Sequence, residues 1–333
     1  MRTVWLTAAA LATAILVAGC IESKQDITVN PDGSGKMRAE LIMSDMPFSM
    51  TPQDDPPDPQ VTAKQFAKSV LDGSKGVETW SDVSVERTED NRSRFVGTAY
   101  FRDFEAMYLQ TGRMQGVTLE KTADGGMLLR LNPQQQGGPM AGGRESNTAP
   151  GAESTPQPQM SDEEMQQRLA AERAKWQQMK PMMAMTIGKI KMEAVFHLPG
   201  KLVEVKGFEQ MPDGGLRFVF DGAKILGVVD KLMADDAYVR ENMLAGKGGM
   251  GQPPLGDEVL KELFGTSGPL VAKTQGPGEA QFDYATEVQA ARAAYPGMIS
   301  RLGLDALPAQ RPGPQLPPGF GLPGGRKGGA GGP

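Results

Sequence analysis

The chain has 333 residues, 35 basic against 40 acidic side chains, one histidine and one cysteine, and a formal net charge of −5. That balance excludes the basic face on which nucleic-acid binding depends, and a single histidine, His197, excludes a histidine-rich zinc site of the usual ligand sets. Glycine (42) and proline (26) are abundant and clustered, so the foldable part falls well short of the full length.

Met1-Arg2 and the apolar run from Leu6 to Val17 match an export signal and are too short for a membrane span. The run ends in Val17-Ala18-Gly19-Cys20, which resembles the lipobox of bacterial lipoproteins. This resemblance implies that residues 1–19 are a signal peptide and that Cys20 is a lipidation site. There the thiol carries a diacylglyceryl group and the freed amine a further acyl chain such as palmitate. Buried methylenes contribute about 0.8 kcal/mol each, so two or three chains make an effectively permanent anchor. The expected partner is therefore a membrane of the bacterial cell envelope, with the domain outside the cytoplasm. An ordinary signal peptide with a chance cysteine is the alternative. An acylated Cys20 leaves no thiol for a disulfide. Loss of residues 1–19, with one Arg and no acid, takes the net charge to −6, and no run of Lys and Arg suited to anionic headgroups is present.

Period-2 alternation follows. Ile27 and Val29 lead into Asn30-Pro31-Asp32-Gly33-Ser34-Gly35, after which Met37, Ala39, Leu41 and Met43 alternate with Lys36, Arg38 and Glu40, a hairpin pattern. Asp54-Asp55-Pro56-Pro57-Asp58 lacks the EF-hand spacing and reads as a solvated acidic loop. Val61 to Leu71 is helical in spacing, with Gly73 as its stop. Val83 and Val85 pair with Phe95–Phe101 across Asp90-Asn91, and Val117–Leu119 with Met127, Leu129 and Leu131 across Asp124-Gly125-Gly126. Residues 133–159, rich in Gly, Pro, Gln and Ser, bury too little surface to fold.

Ser161-Asp162-Glu163-Glu164 fits a capping box and starts a helix predicted to stop at Lys180, since Pro181 disfavours helical geometry before it. Ile190 to Leu198 alternate as a strand that points His197 away from the apolar face. Leu202–Val205 are predicted to pair with Leu216, Phe218 and Phe220 across Asp213-Gly214-Gly215. Helices are predicted at Ala223–Leu244, Asp257–Phe264 and Tyr284–Tyr295, with a flexible stretch at Ala245–Pro254 and a Pro/Gly-rich tail at 306–333. The pattern predicts an α+β fold: an antiparallel sheet of β-hairpins with helices packed on one face. It is assembled from residues 20–132 and 160–305 around the 133–159 insertion; two small domains joined by that stretch are the alternative.

The lipobox, the hairpin Asp26-Ile27-Thr28-Val29-Asn30-Pro31-Asp32-Gly33-Ser34-Gly35 and the later Leu198-Pro199-Gly200-Lys201-Leu202-Val203 together resemble the LppM-domain lipoproteins over roughly residues 20–225. The resemblance implies an extracytoplasmic α+β domain that binds lipid or glycolipid and has no enzymatic activity. The chain departs from many such relatives by lacking a C-terminal transmembrane helix and by running past residue 225.

A Ser-His-Asp triad would depend wholly on His197, and the glycine-rich stretches lack the phosphate-loop ending. Methionine is the compositional oddity: 21 residues, bunched at Met43, Met46 and Met50 and at Met179, Met182, Met183, Met185 and Met192. Trp176, Met179, Met183 and Ile187 fall on one helical stripe. Three readings stand: core packing by a gap-filling side chain, an adaptable pocket for an acyl chain between helix and sheet, and a thioether site for Cu(I). The expectation is a non-enzymatic, membrane-anchored lipoprotein without cofactor or metal, binding lipid or another apolar ligand at Trp176, Met179, Met183 and Ile187. The alternative is an envelope structural or protein-interaction module that uses its tail.

Overall fold

An Asn-Pro-Asp-Gly turn sets the first element. Gly33 takes φ +93°, and the Asp32 carboxylate accepts the Ser34 N–H at 3.0 Å and its hydroxyl at 2.6 Å. The flanking strands β1 (Ile21–Val29) and β2 (Gly35–Met43) then pair antiparallel from Ile21 opposite Met43 to Val29 opposite Gly35. The structure, a computed structural model, describes residues 21–44, 58–109, 116–133, 161–244 and 257–307. Residues 1–19 and Cys20, positions 54–57, Met46 and Met50, and the expected unstructured stretches from 134, 245 and 308 lie outside the described residues.

Helix α1 (Pro59–Gly73) starts at Asp58, whose side chain accepts the Gln60 N–H at 2.8 Å. Strands β3 (Val77–Arg87) and β4 (Ser93–Phe101) follow, then β5 (Val117–Lys121) and β6 (Met127–Leu131). After the 134–160 stretch come α2 (Asp162–Thr186), β7 (Lys191–His197), β8 (Lys201–Lys206), β9 (Glu209–Gln210) and β10 (Leu216–Asp221). The chain continues through α3 (Gly222–Ala234), α4 (Asp236–Tyr238) leading into π-helical Val239–Leu244, α5 (Asp257–Phe264), β11 (Leu270–Gln275) and α6 (Tyr284–Leu302).

The strands form a seven-stranded sheet in the order β3-β4-β2-β1-β7-β10-β9 and a four-stranded sheet in the order β5-β6-β11-β8. Both sheets therefore draw strands from either side of the 134–160 stretch. Their facing sides share one core: Ile27, Met37, Phe95, Phe101, Phe196 and Phe218 from the large sheet, Met127, Leu129, Leu131 and Leu270 from the small one, with Phe66 and Val70 of α1. Phe101, Phe104, Phe196 and Phe208 meet edge to face at 5.8, 6.3 and 6.1 Å between successive rings, the arrangement their quadrupoles favour.

The fold is α+β, as the sequence pattern predicts, with differences of detail. The pairing of β1 with β7 is parallel, so the large sheet is mixed. Leu202–Val205 do not pair with Leu216–Phe220: Gly207 (φ +78°) and buried Phe208 carry the chain across to the large sheet, where β9 becomes the hairpin partner of β10. Helices do not keep to one face. Tyr284, Val288 and Ala291 of α6 pack on Tyr100, whose neighbours Ala99 and Phe101 point to the opposite side, whereas Met298 reaches the main core.

Helix α2 runs through Pro181 to Thr186 instead of stopping at Lys180. A proline inside a helix costs about 3 kcal/mol. Burial of Trp176 before it and Met183 after it against α3 offsets that loss, at roughly 1.5–3 kcal/mol per large apolar side chain. The predicted helix at 223–244 breaks at Asp235, whose carboxylate accepts the N–H groups of Ala237 and Tyr238 and starts a new turn.

Candidate functional site

The stripe singled out in the sequence comes together. Leu169, Trp176 and Met183 recur at intervals of seven along α2 and are buried against Ile225, Leu226, Val229 and Met233 of α3. Met179 and Ile187 are partly buried in the same cluster. The Trp176 indole N–H donates to Asp230 at 2.7 Å, and Lys180 reaches the other Asp230 oxygen at 2.7 Å. Burial pushes the Asp230 carboxyl up, but these two donors outweigh it and hold the group below its ordinary value. Arg173 caps the end of α3, donating to the carbonyls of Met233 and Ala234, both at 2.9 Å. At the other end α3 closes tightly on α2: a side chain at Gly222 would sit 1.7 Å from the Ile187 carbonyl oxygen. The four predicted residues thus line a packed helix–helix interface.

The start of β1 is the second place of interest. The sequence pattern puts the first strand at Ile27, whereas pairing begins at Ile21, directly after Cys20. The alternation was hidden because the inward positions are polar: Ser23 and Gln25 are buried, and the Gln25 amide donates to the Ser23 hydroxyl at 3.1 Å. Glu22 pairs with Lys191 across the parallel ladder and bonds Arg92 at 2.7 Å. Close by, the Gly222 N–H donates to the Ile190 carbonyl at 3.0 Å, which brings the end of α2 and the start of α3 to the same rim.

A third feature lies at the opposite end of the large sheet. A groove of about 280 Å³ is lined by Glu78, Arg102, Tyr284, Val288, Gln289 and Arg292. Glu78 holds both guanidinium groups, Arg102 at 2.9 Å and Arg292 at 2.8 Å, and Arg102 lies over the Tyr284 ring at 5.5 Å. The Tyr284 hydroxyl is buried with no hydrogen-bond partner among the described residues. Burial, then the nearby Glu78 carboxylate, pushes its pKa up to about 12. Sequence reasoning missed this groove because β3, β4 and α6 each supply isolated residues and no motif.

His197 stands on the face opposite buried Phe196, with its Nε2 3.4 Å from Asp26. Asp58, the described member of the acidic run, serves as the cap of α1. Among the described residues no three His, Cys, Asp or Glu side chains come together to hold a metal, and no helix is long and apolar enough to cross a membrane.

No family model matches the chain, and no curated protein matches it. Among solved structures the chain is similar to the NMR structure of the folded domain of the Mycobacterium tuberculosis LppM protein, at 11% identity and a TM-score of 0.26, over 62% of this chain and 85% of that one.

Proposed function

We propose that the chain is a non-enzymatic domain of the bacterial cell envelope, held outside the cytoplasm by acyl chains on Cys20. The observation that carries this reading is the absence of a spacer. Strand β1 starts at Ile21 and enters the middle of the large sheet, so the residue that matches the lipobox cysteine is joined directly to the core of the fold. A lipid on that residue brings the whole domain against the bilayer surface.

The ligand reading is narrower. An acyl chain among Trp176, Met179, Met183 and Ile187 requires α2 and α3 to part, because Trp176 and Met183 are already 4% and 8% exposed against α3. That packing favours a protein-interaction module as the second reading.

The anchor is tested by fractionation of the full chain and of Cys20→Ser, with signal-peptide cleavage checked by mass. Wild-type protein is expected to stay with membranes through an alkaline carbonate wash while the variant is released. A variant that still pellets, or a wild type that washes off, overturns the reading.

A further inference from the structure

Met182 and Met185, one helical turn apart near the end of α2, are 39% and 63% exposed. Val61, Tyr108 and Val203, the other exposed large hydrophobics among the described residues, lie singly on α1, after β4 and on β8. We propose that Pro181, Met182, Ala184 and Met185, with Lys189, Lys191 and Lys224, form a face that docks the domain on the bilayer to which its lipid is attached. The proposal rests on the anchor reading above and adds an orientation to it.

Two observations point to the bilayer as the occupant. The first is position. Lys191 is the ladder partner of Glu22, two residues from Cys20, and Met185 is six residues before Lys191, a span of at most about 20 Å. An acyl group on Cys20 thus brings the methionines within reach of the headgroups. The second is charge. Lys189 and Lys191 flank Ile190, whose carbonyl accepts the Gly222 N–H, and Lys224 lies two residues further on. All three lysines are exposed and make no ion pair among the described residues. The fold thereby gathers three lysines from separate segments of an acidic chain, beside Glu22, which Arg92 holds, and Asp221, the other ladder partner of Lys191 and the cap of α3. The result is a small net positive rim suited to anionic lipid. Two methionines and three lysines are a weak membrane site for a free protein. On a tethered one docking is intramolecular, and the high effective concentration makes such weak contacts sufficient.

The test is methionine oxidation by hydrogen peroxide, read by mass spectrometry, on the lipidated full chain in vesicles of phosphatidylethanolamine and phosphatidylglycerol. Unlipidated Cys20→Ser protein in solution is the reference. Met211, half-buried in the β9–β10 turn at the other end of the sheet, is the internal control. Sulfoxide formation at Met182 and Met185 is expected to slow about fivefold on vesicles while Met211 is unchanged. The triple variant K189E/K191E/K224E should float with the vesicles as wild type does yet lose that protection. Flotation without protection at Met182 and Met185 overturns the docking face and leaves the anchor standing. Equal protection in lipid-free detergent, rising with protein concentration, assigns the face to a second copy of the chain and overturns the proposal. Lipidated-chain preparations that do not float overturn the anchor reading and this one with it.

Discussion

Asn30 and Gln281 clasp each other across the end of the large sheet. The Asn30 side-chain oxygen accepts the Gln281 backbone N–H at 2.9 Å, and its amide donates to the Phe282 carbonyl at 3.2 Å. The Gln281 side chain in turn donates to the carbonyls of Val29 and His197 at 3.2 and 3.1 Å, tying the ends of β1 and β7 to the segment that leads into α6. Asn30 is 4% exposed, and Asn30→Ala leaves the part-buried Gln281 N–H and Phe282 carbonyl without this partner. The expected loss is about 1–3 kcal/mol in a denaturant titration, and Asn30→Asp should not rescue it, since it sets a carboxylate oxygen against the Phe282 carbonyl at a buried position. Equal midpoints for Ala and wild type would show that the clasp contributes nothing.

Three glycine turns separate steric contact from backbone strain. Gly200, Gly278 and Gly214 all have positive φ, at +87°, +63° and +86°. A side chain at Gly278 would meet the Gly200 nitrogen at 2.1 Å, and one at Gly200 the Gly276 carbonyl oxygen at 2.6 Å, whereas one at Gly214 meets nothing within 4 Å. Gly214→Ala should cost about 1–2 kcal/mol, the left-handed penalty alone, and Gly278→Ala markedly more, since two backbones must move apart. Thermal melts of the two variants decide it; matching Tm losses would refute the close approach.

Tyr284→Phe removes a buried hydroxyl that has no partner, so it should be neutral or stabilise by on the order of 1 kcal/mol. The pH dependence has a definite sign. A folded-state pKa raised to about 12 from 10.0 means that the folded chain holds the phenolic proton more tightly than the unfolded chain. This contribution is complete below pH 10 and drains away as pH rises through 12. Stability curves at alkaline pH should therefore be flatter for Tyr284→Phe, and parallel curves would contradict the assignment.

Trp176→Phe keeps most of the ring burial but deletes the bond to Asp230. The Asp230 carboxyl lies below its ordinary 3.8, with burial opposed by Lys180 and Trp176, so its stabilising effect is complete above about pH 4 and is lost as pH falls through the folded value. The variant should raise the Asp230 titration midpoint seen by NMR. Trp176→Ala should cost about 3–5 kcal/mol as a cavity forms against α3.

What the sequence revealed depended on whether pattern and burial coincided. The β1–β2 turn was legible because Asp32 and Gly33 do locally what the hairpin needs. Strand β11 was missed: Leu270, Ala272 and Thr274 alternate inward, but Thr274 is polar, buried and bonded to the Met127 N–H at 2.9 Å. The same masking hid Ser23 and Gln25 at the start of β1. The Trp176–Met183 stripe was correctly seen as one apolar surface, yet only tertiary structure shows α3 lying on it. The lysine rim was invisible for the opposite reason, since Lys189, Lys191 and Lys224 become neighbours through the Ile190–Gly222 contact.

The parallel seam between β1 and β7 also fixes an order of assembly. As the chain emerges from its N-terminus, β1 finds β2 within a single hairpin, but its other edge stays bare until Lys191–His197 arrive. A bare edge on a central strand is a template for wrong partners, and closing so long a loop is slow. This seam closes only after the first two hairpins are in place and before β11 (Leu270–Gln275) completes the small sheet, so truncated chains ending before residue 191 should expose the free edge of β1 and be prone to pair with one another.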